Sequence, residues 1–204
     1  MINTKYGYRM ILLVVISITF FSFDLPTGWH KSGNAPDKYD MGIDKGVGQN
    51  GKNAGTIRSI DKNINGFGTL MQNSMPGKFL GKRIRMSGFL KTKDVSEWAG
   101  FWLRIDGKNK DGHFGFDNMH DDKTDRSVKG TTEWTKYEIV LNVSEDASNI
   151  AYGALLSGTG QVWFDDLKIE IVDESIPVTG IELGGNKPQD ITQYKEPTNL
   201  ELEK

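Results

Sequence analysis

The chain has 204 residues, with 37% apolar side chains, 24 glycines, 6 prolines and a formal net charge of −2. That length suits one domain with appendages and can bury a core without covalent staples, and the near-neutral balance gives no reason to expect nucleic acid as a partner. Cysteine is absent, which excludes disulfides, thiolate metal sites, cysteine nucleophiles and lipidation at a lipobox cysteine.

At the N-terminus, Lys5 and Arg9 precede "MILLVVISITFFSF", residues 10–23, a run without charge. Its apolar length matches a signal-peptide core and is short for a transmembrane helix. No small-x-small cleavage site follows it. Two readings of residues 1–23 therefore stand, a poorly cleaved signal peptide and an uncleaved N-terminal membrane anchor. Either makes the remaining chain secreted or membrane-anchored, outside the cytoplasm. A buried strand or helix of the domain is a third reading, against which the preceding positive charges weigh.

After Leu25 the pattern changes to short runs rich in β-branched and aromatic residues, broken by glycine, asparagine and aspartate. Strands are predicted at 39–43, 55–60, 67–73, 82–92, 99–106, 113–118, 135–143, 149–156 and 161–172. Their spacing points to an all-β sandwich. "GKNKDGH", residues 107–113, reads as a hairpin loop and "SGTGQ", residues 157–161, as a tight turn. "SEDAS", residues 144–148, suits one helical turn, and no longer helix is predicted. Alternation yields a core of Ile84, Met86 and Leu90, of Phe101, Leu103 and Ile105, and of Tyr137, Ile139, Leu141 and Val143. Beyond Val172 the chain is polar and carries Pro177, Pro188 and Pro197, so residues 173–204 read as a linker or tail. Its end, "EPTNLELEK", echoes "FSFDLPTGW" near the start. The segment is thus a fragment of a second copy, an added edge strand, or an unstructured tail.

The stretch "EWAGFWLRIDG", residues 97–107, raises the functional question. Residues two apart on a strand share a face, so Trp102 and Arg104 point away from Phe101, Leu103 and Ile105. An indole face and a guanidinium fork suit a sugar ring or a carboxylate. A structural cation–π pair is the alternative. In "FDNM", Phe116 is expected in the core, while Asp117 and Asn118 either orient a polyol or form an Asx turn. An Arg104–Asp117 salt bridge is a competing account of that pair. Gln72 is a further candidate lining residue. His30, His113 and His120 match no zinc spacing and read as solvated loop residues. There is no G-x-S-x-G, H-E-x-x-H or P-loop motif. Asp106 and Asp117 are the carboxylates a glycoside-acting enzyme would need.

The strings "DLPTGWHKSG", "GKNAGTIRSI", "GKRIRMSGFLKTKDV", "WAGFWLRIDG", "KGTTEWTKYEIVLNV" and "YGALLSGTGQVWFDDLKIEIV" occur in that order. Together they resemble the galactose-binding-like, carbohydrate-binding-type jelly-roll module. Such modules stand beside bacterial S41-type peptidases and erythromycin-esterase-like hydrolases and accompany certain Bacillus regulators. The resemblance covers about residues 24–172, and no catalytic or DNA-binding domain follows that span. It implies a two-sheet antiparallel jelly-roll sandwich without catalysis. It also implies a structural calcium ion, held by Asp166 or its neighbour Asp165 and by Asp24 or Asp44 near the first strand. The expected role is a non-catalytic module that binds a glycan or another cell-envelope ligand. A structural or protein-interaction domain at the cell surface is the alternative, and a glycoside-acting enzyme a more distant one.

Overall fold

A computed structural model describes residues 22–107, 114–120, 125–183 and 193–204. Nearly all of the predicted leader, the body of the predicted 107–113 hairpin loop and His113 lie outside the described residues. Among the described residues no helix is long and apolar enough to cross a membrane.

Ten strands are described: β1 His30–Gly33, β2 Tyr39–Asp44, β3 Ala54–Ser59, β4 Phe67–Ser74, β5 Lys82–Gly107, β6 Phe114–Asp117, β7 Val128–Val143, β8 Ala147–Ser157, β9 Gln161–Val172 and β10 Ile181–Leu183. The pairings between them are antiparallel. The fold is the expected all-β jelly-roll sandwich.

The two layers share β5, which is 26 residues long. Its first half, 82–93, pairs with β7 and β9, and β9 leads on to β3 and β2. Its second half, 98–107, pairs with β8 and β6, and β8 leads on to β4 and β1. The predicted strands 82–92 and 99–106 are therefore one bent strand. Three register shifts between Leu90 and Ala99 make the bend, as bulges do. Asp94 sits there at φ 52, a left-handed conformation that aspartate tolerates better than most residues. The charged run "KTKDVSEW" breaks the alternation because the bulged segment exposes Lys93, Asp94, Ser96 and Glu97 while Thr92 and Val95 stay buried.

Between the layers lies the core. Phe101, Leu103 and Ile105 are buried from one side, and Ile84, Met86 and Leu90 from the other. Phe101 meets Phe164 edge-on at 6.4 Å between ring centroids. Ile139, Leu141 and Val143 are buried as expected, while Tyr137 is half-buried at the margin. Each large side chain contributes roughly 1.5–3 kcal/mol on burial, most of it offset by conformational entropy.

Two elements escape the sequence pattern. Strand β1, "HKSG", carries no apolar residue, and its strand character comes from pairing with β4. The segment after Val172 is not the plain tail that its polarity suggests. Residues Ile181–Leu183 add an edge strand to β6, one of the three readings above. Residues 193–204 return to the sandwich, where Leu202 is fully buried. There Asn199 accepts the Trp29 indole N–H through its carbonyl at 3.2 Å. Leu200 and Leu202 supply the burial, and two leucines in a polar stretch are too few to mark it by composition.

Candidate functional site

The outer face of the β8 layer is an open groove of about 640 Å³. Strand register sets its rows. Trp102 on β5 stands opposite Gly153 on β8, which stands opposite Met71 on β4, which stands opposite His30 on β1. In the next row Arg104, Ala151 and Asn73 align, and Phe116 on β6 faces Arg104 from the other side. Trp98, Phe67, Leu155 and Asn118 complete the walls.

The floor is apolar. Met71, Trp102, Ala151 and Leu155 form a buried cluster, with Phe67, Trp98 and Phe116 packed around it and partly exposed. Gly153 makes the arrangement fit. A Cβ there would run into the Leu70 carbonyl oxygen and the Met71 backbone, so β8 can lie close to β4. Across it the Trp102 indole donates its N–H to Thr69 Oγ1 at 2.8 Å. Thr69 in turn donates to the Ala154 carbonyl at 2.7 Å. Trp102 is thereby fixed, with 7% of its surface exposed. Trp98 stacks on His120 with ring centroids 4.7 Å apart and 16° between planes.

The far end of the groove is polar. Arg104 Nε lies 2.8 Å from Asp106 Oδ1, and its Nη2 donates to Asp106 Oδ2 at 3.1 Å. Asn149 donates from Nδ2 to Asp106 Oδ2 at 2.8 Å and to Asn73 Oδ1 at 3.3 Å. Gln193, from the returning C-terminal segment, donates to Asn149 Oδ1 at 3.0 Å. His30 is exposed on the rim, yet the groove wall desolvates its ring enough to lower its pKa.

Trp102, Arg104 and Asn118 are thus brought together on one groove, although Trp102 and Arg104 turn to separate partners. Asp117 is not part of it. It stands opposite Leu103 and so faces the core side, where Arg126 and Thr179 take its carboxylate. Its Oδ1 accepts the Met119 N–H at 2.7 Å, and Asn118 Oδ1 accepts the His120 N–H at 3.1 Å, which are Asx turns. Arg104 pairs with Asp106 and not with Asp117. The carboxylates of Asp106 and Asp117 lie on opposite sides of the sheet and cannot flank one bond. Phe116, expected in the core, lines the groove instead. Gln72 is fully buried on the opposite face of β4. Its amide donates to the Gly28 and Thr198 carbonyls and accepts from Thr198 N–H and the Tyr152 hydroxyl.

The expected calcium ligands each have protein partners of their own. Asp24 faces Lys45 at 3.4 Å and Asp166 faces Lys168 at 3.2 Å. Asp44 accepts the Trp163 indole N–H at 2.8 Å. Asp165 accepts the backbone N–H groups of Gln49 and Asp166, and burial pushes its pKa up. Among the described residues no three acidic or histidine side chains gather as a metal cluster.

Residues that the sequence pattern did not single out are Phe67, Met71, Asn73 and Trp98. Trp98 carried a signal, since it shares the parity of Trp102 and Arg104 on β5. The β4 residues became neighbours only through the β5–β8–β4 register.

Fold and groove define a jelly-roll β-sandwich with an open aromatic face. No known family profile matches the chain. It is similar to the CBM22-1 xylan-binding domain of Paenibacillus barcinonensis Xyn10C, with a TM-score of 0.50 and 14% identity over 73% of this chain and 89% of that one. It is also similar to the CBM22-1–GH10 modules of Clostridium thermocellum Xyn10B complexed with xylohexaose. There the TM-score is 0.52 and the identity 15%, over 74% of this chain and 27% of that one. These likenesses concern the fold. By sequence, the chain is 41% identical over 177 residues to YbfP, an uncharacterized HTH-type transcriptional regulator of Bacillus subtilis (strain 168). The match takes in 86% of this chain, which spans 56% of that relative's length.

Proposed function

We propose that the chain is a non-catalytic module that binds a glycan in the groove floored by Trp102. The observation that carries this is a fixed indole and three further aromatic rings beside a polar end, on an open face of about 640 Å³. Aromatic rings stack on the apolar CH faces of sugars, and the polar end orients hydroxyls. The fold it shares with xylan-binding modules supports the reading. So does the opposed placement of Asp106 and Asp117, which keeps these two carboxylates from flanking one bond. Exposure to cell-envelope glycans outside the cytoplasm is the setting that the charged-then-apolar leader fits. Titration calorimetry with an oligosaccharide panel tests the proposal. Binding that weakens at least tenfold in Trp98→Ala is expected, and absence of binding to every member overturns it.

The relation to a longer transcriptional regulator favours a second reading. In it, the groove is the ligand- or partner-receiving part of a larger regulatory chain. A binding partner protein that is recovered stoichiometrically and not displaced by any sugar would favour this reading over glycan recognition.

A further inference from the structure

The polar end of the groove is chemically one-sided. Asp106 is the fixed point, because an ionised carboxylate only accepts hydrogen bonds. The Asn149 atom 2.8 Å from Asp106 Oδ2 must therefore be Nδ2, and the atom of Asn73 that shares this Nδ2 must be Oδ1. Gln193 supplies a donor to Asn149 Oδ1, which closes that side chain. What remains of Asn73 is its Nδ2, which has no partner among the described residues. Asn73 is 4% exposed, and it lines the groove. Beside it, Asp106 sits against the Nε–Nη2 edge of Arg104 and bonds it through Nη2, while Nε makes no hydrogen bond of its own among the described residues. Arg104 Nη1 is left without a partner among the described residues.

The Asp106 carboxylate is thus engaged at the end of the groove, by Arg104 and Asn149. Among the described residues no aspartate or glutamate lines the groove, and Arg104 is the one permanently charged lining residue. The end of the groove presents N–H donors from Asn73 and Arg104, and among the described residues the carboxylate beside them, Asp106, is already engaged by Arg104 and Asn149. A sugar hydroxyl both donates and accepts, so such a wall uses half of its capacity. A carboxylate accepts only, with two oxygens and about four lone-pair sites, and charge-assisted bonds to it are the stronger kind.

We infer that the groove selects an acidic glycan, with a uronic-acid carboxylate seated between Asn73 Nδ2 and Arg104 Nη1 and the sugar ring lying toward Trp102. This rests on the glycan reading above and narrows it. Asp106 holds the guanidinium in place, and Asn149 holds both Asp106 and Asn73, so the donors are fixed before the ligand arrives.

The test compares ligands that differ only in the acid. Oligogalacturonate and its methyl ester form one pair, and a glucuronic-acid-bearing xylan oligosaccharide and its methyl ester form a second. Xylohexaose is the neutral reference. The full chain is titrated with each by calorimetry at low and high salt. In at least one pair the free acid is expected to bind ten or more times tighter than its ester, with the advantage shrinking as salt rises. Asn73→Asp keeps the oxygen that accepts from Asn149 and replaces the donor with a negative oxygen, so it should abolish the acid preference. Arg104→Lys keeps the charge and loses the fork, and should reduce it. Equal binding of acid and ester in both pairs, or binding of xylohexaose alone, overturns the uronate inference and leaves glycan binding intact. Binding of none of the five overturns both.

Discussion

Trp102 on β5 donates its indole N–H to Thr69 on β4 at 2.8 Å, across the intervening strand β8. Two strands that do not pair with one another are thereby tied through side chains, and the floor of the groove is set by that tie. Thr69→Val keeps the shape and removes the acceptor, leaving a buried indole N–H unpaired. A loss of roughly 1–3 kcal/mol in urea unfolding is expected, with a change in near-ultraviolet circular dichroism as the indole loses its orientation.

Gly153 decides how closely β8 approaches β4. A methyl group there meets the Leu70 carbonyl oxygen and the Met71 backbone, which cannot turn aside as a side chain can. Gly153→Ala should therefore destabilise by roughly 1–3 kcal/mol, the usual range for overpacking. It should also weaken ligand binding by shifting Trp102 and Met71, the residues on either side of it in the row. Thermal unfolding and ligand titration on the same variant check both.

Gln72 clasps the first and last described segments by bonding to Gly28 and Thr198. Gln72→Ala strands several of these groups and should cost at least the roughly 1–3 kcal/mol of one unpaired buried group. Leu202→Ala, in the same returning segment, should cost roughly 2–5 kcal/mol. Because Gln72 lies on the face of β4 opposite the groove, ligand affinity measured well below the unfolding transition should be unchanged in its variant.

Alkaline pH should unfold the protein in a particular window. Burial, with a smaller contribution from nearby Glu97, pushes the Tyr39 phenol up to about 12 from its ordinary 10.0, against the opposing effect of its bond to the Gly158 carbonyl. An acid with a raised folded-state pKa keeps its proton when the unfolded chain has already lost it. Its contribution is whole below pH 10 and is lost as pH rises toward 12. Burial also raises Tyr152 strongly, so both tyrosines add to the slope. Denaturant midpoints measured across this range should fall, and the fall should be shallower in Tyr39→Phe.

Much of this was open to a reader of the chain alone. The parity of Trp98, Trp102 and Arg104 against Phe101, Leu103 and Ile105 separates a wet face from a core face on one strand, because alternation is a local property of extended backbone. The strand at residues 161–172 is predicted with the bounds it has, since β9 is flanked by a glycine-rich turn and by a drop in apolar content. Asp117 misled because parity along one strand says nothing about register across two. Only the Leu103–Asp117 pairing turns its carboxylate inward, and only the Phe116–Arg104 pairing turns that phenylalanine outward. The β1 edge strand and the returning segment 193–204 were equally out of reach, since each is held mainly by its partner.

The sequence by itself determined that this is an all-β protein with an aromatic and cationic strand face, because hydrophobic periodicity and turn chemistry act over a few neighbouring residues. The tertiary structure alone decided which side chains share that face: it joined Asn73 to Arg104 across β8, removed Gln72 and Asp117, and brought Gln193 of the C-terminal segment back against Asn149. Those outcomes depend on pairing between residues far apart in the chain, where one step of register moves a side chain to the other side of the sheet.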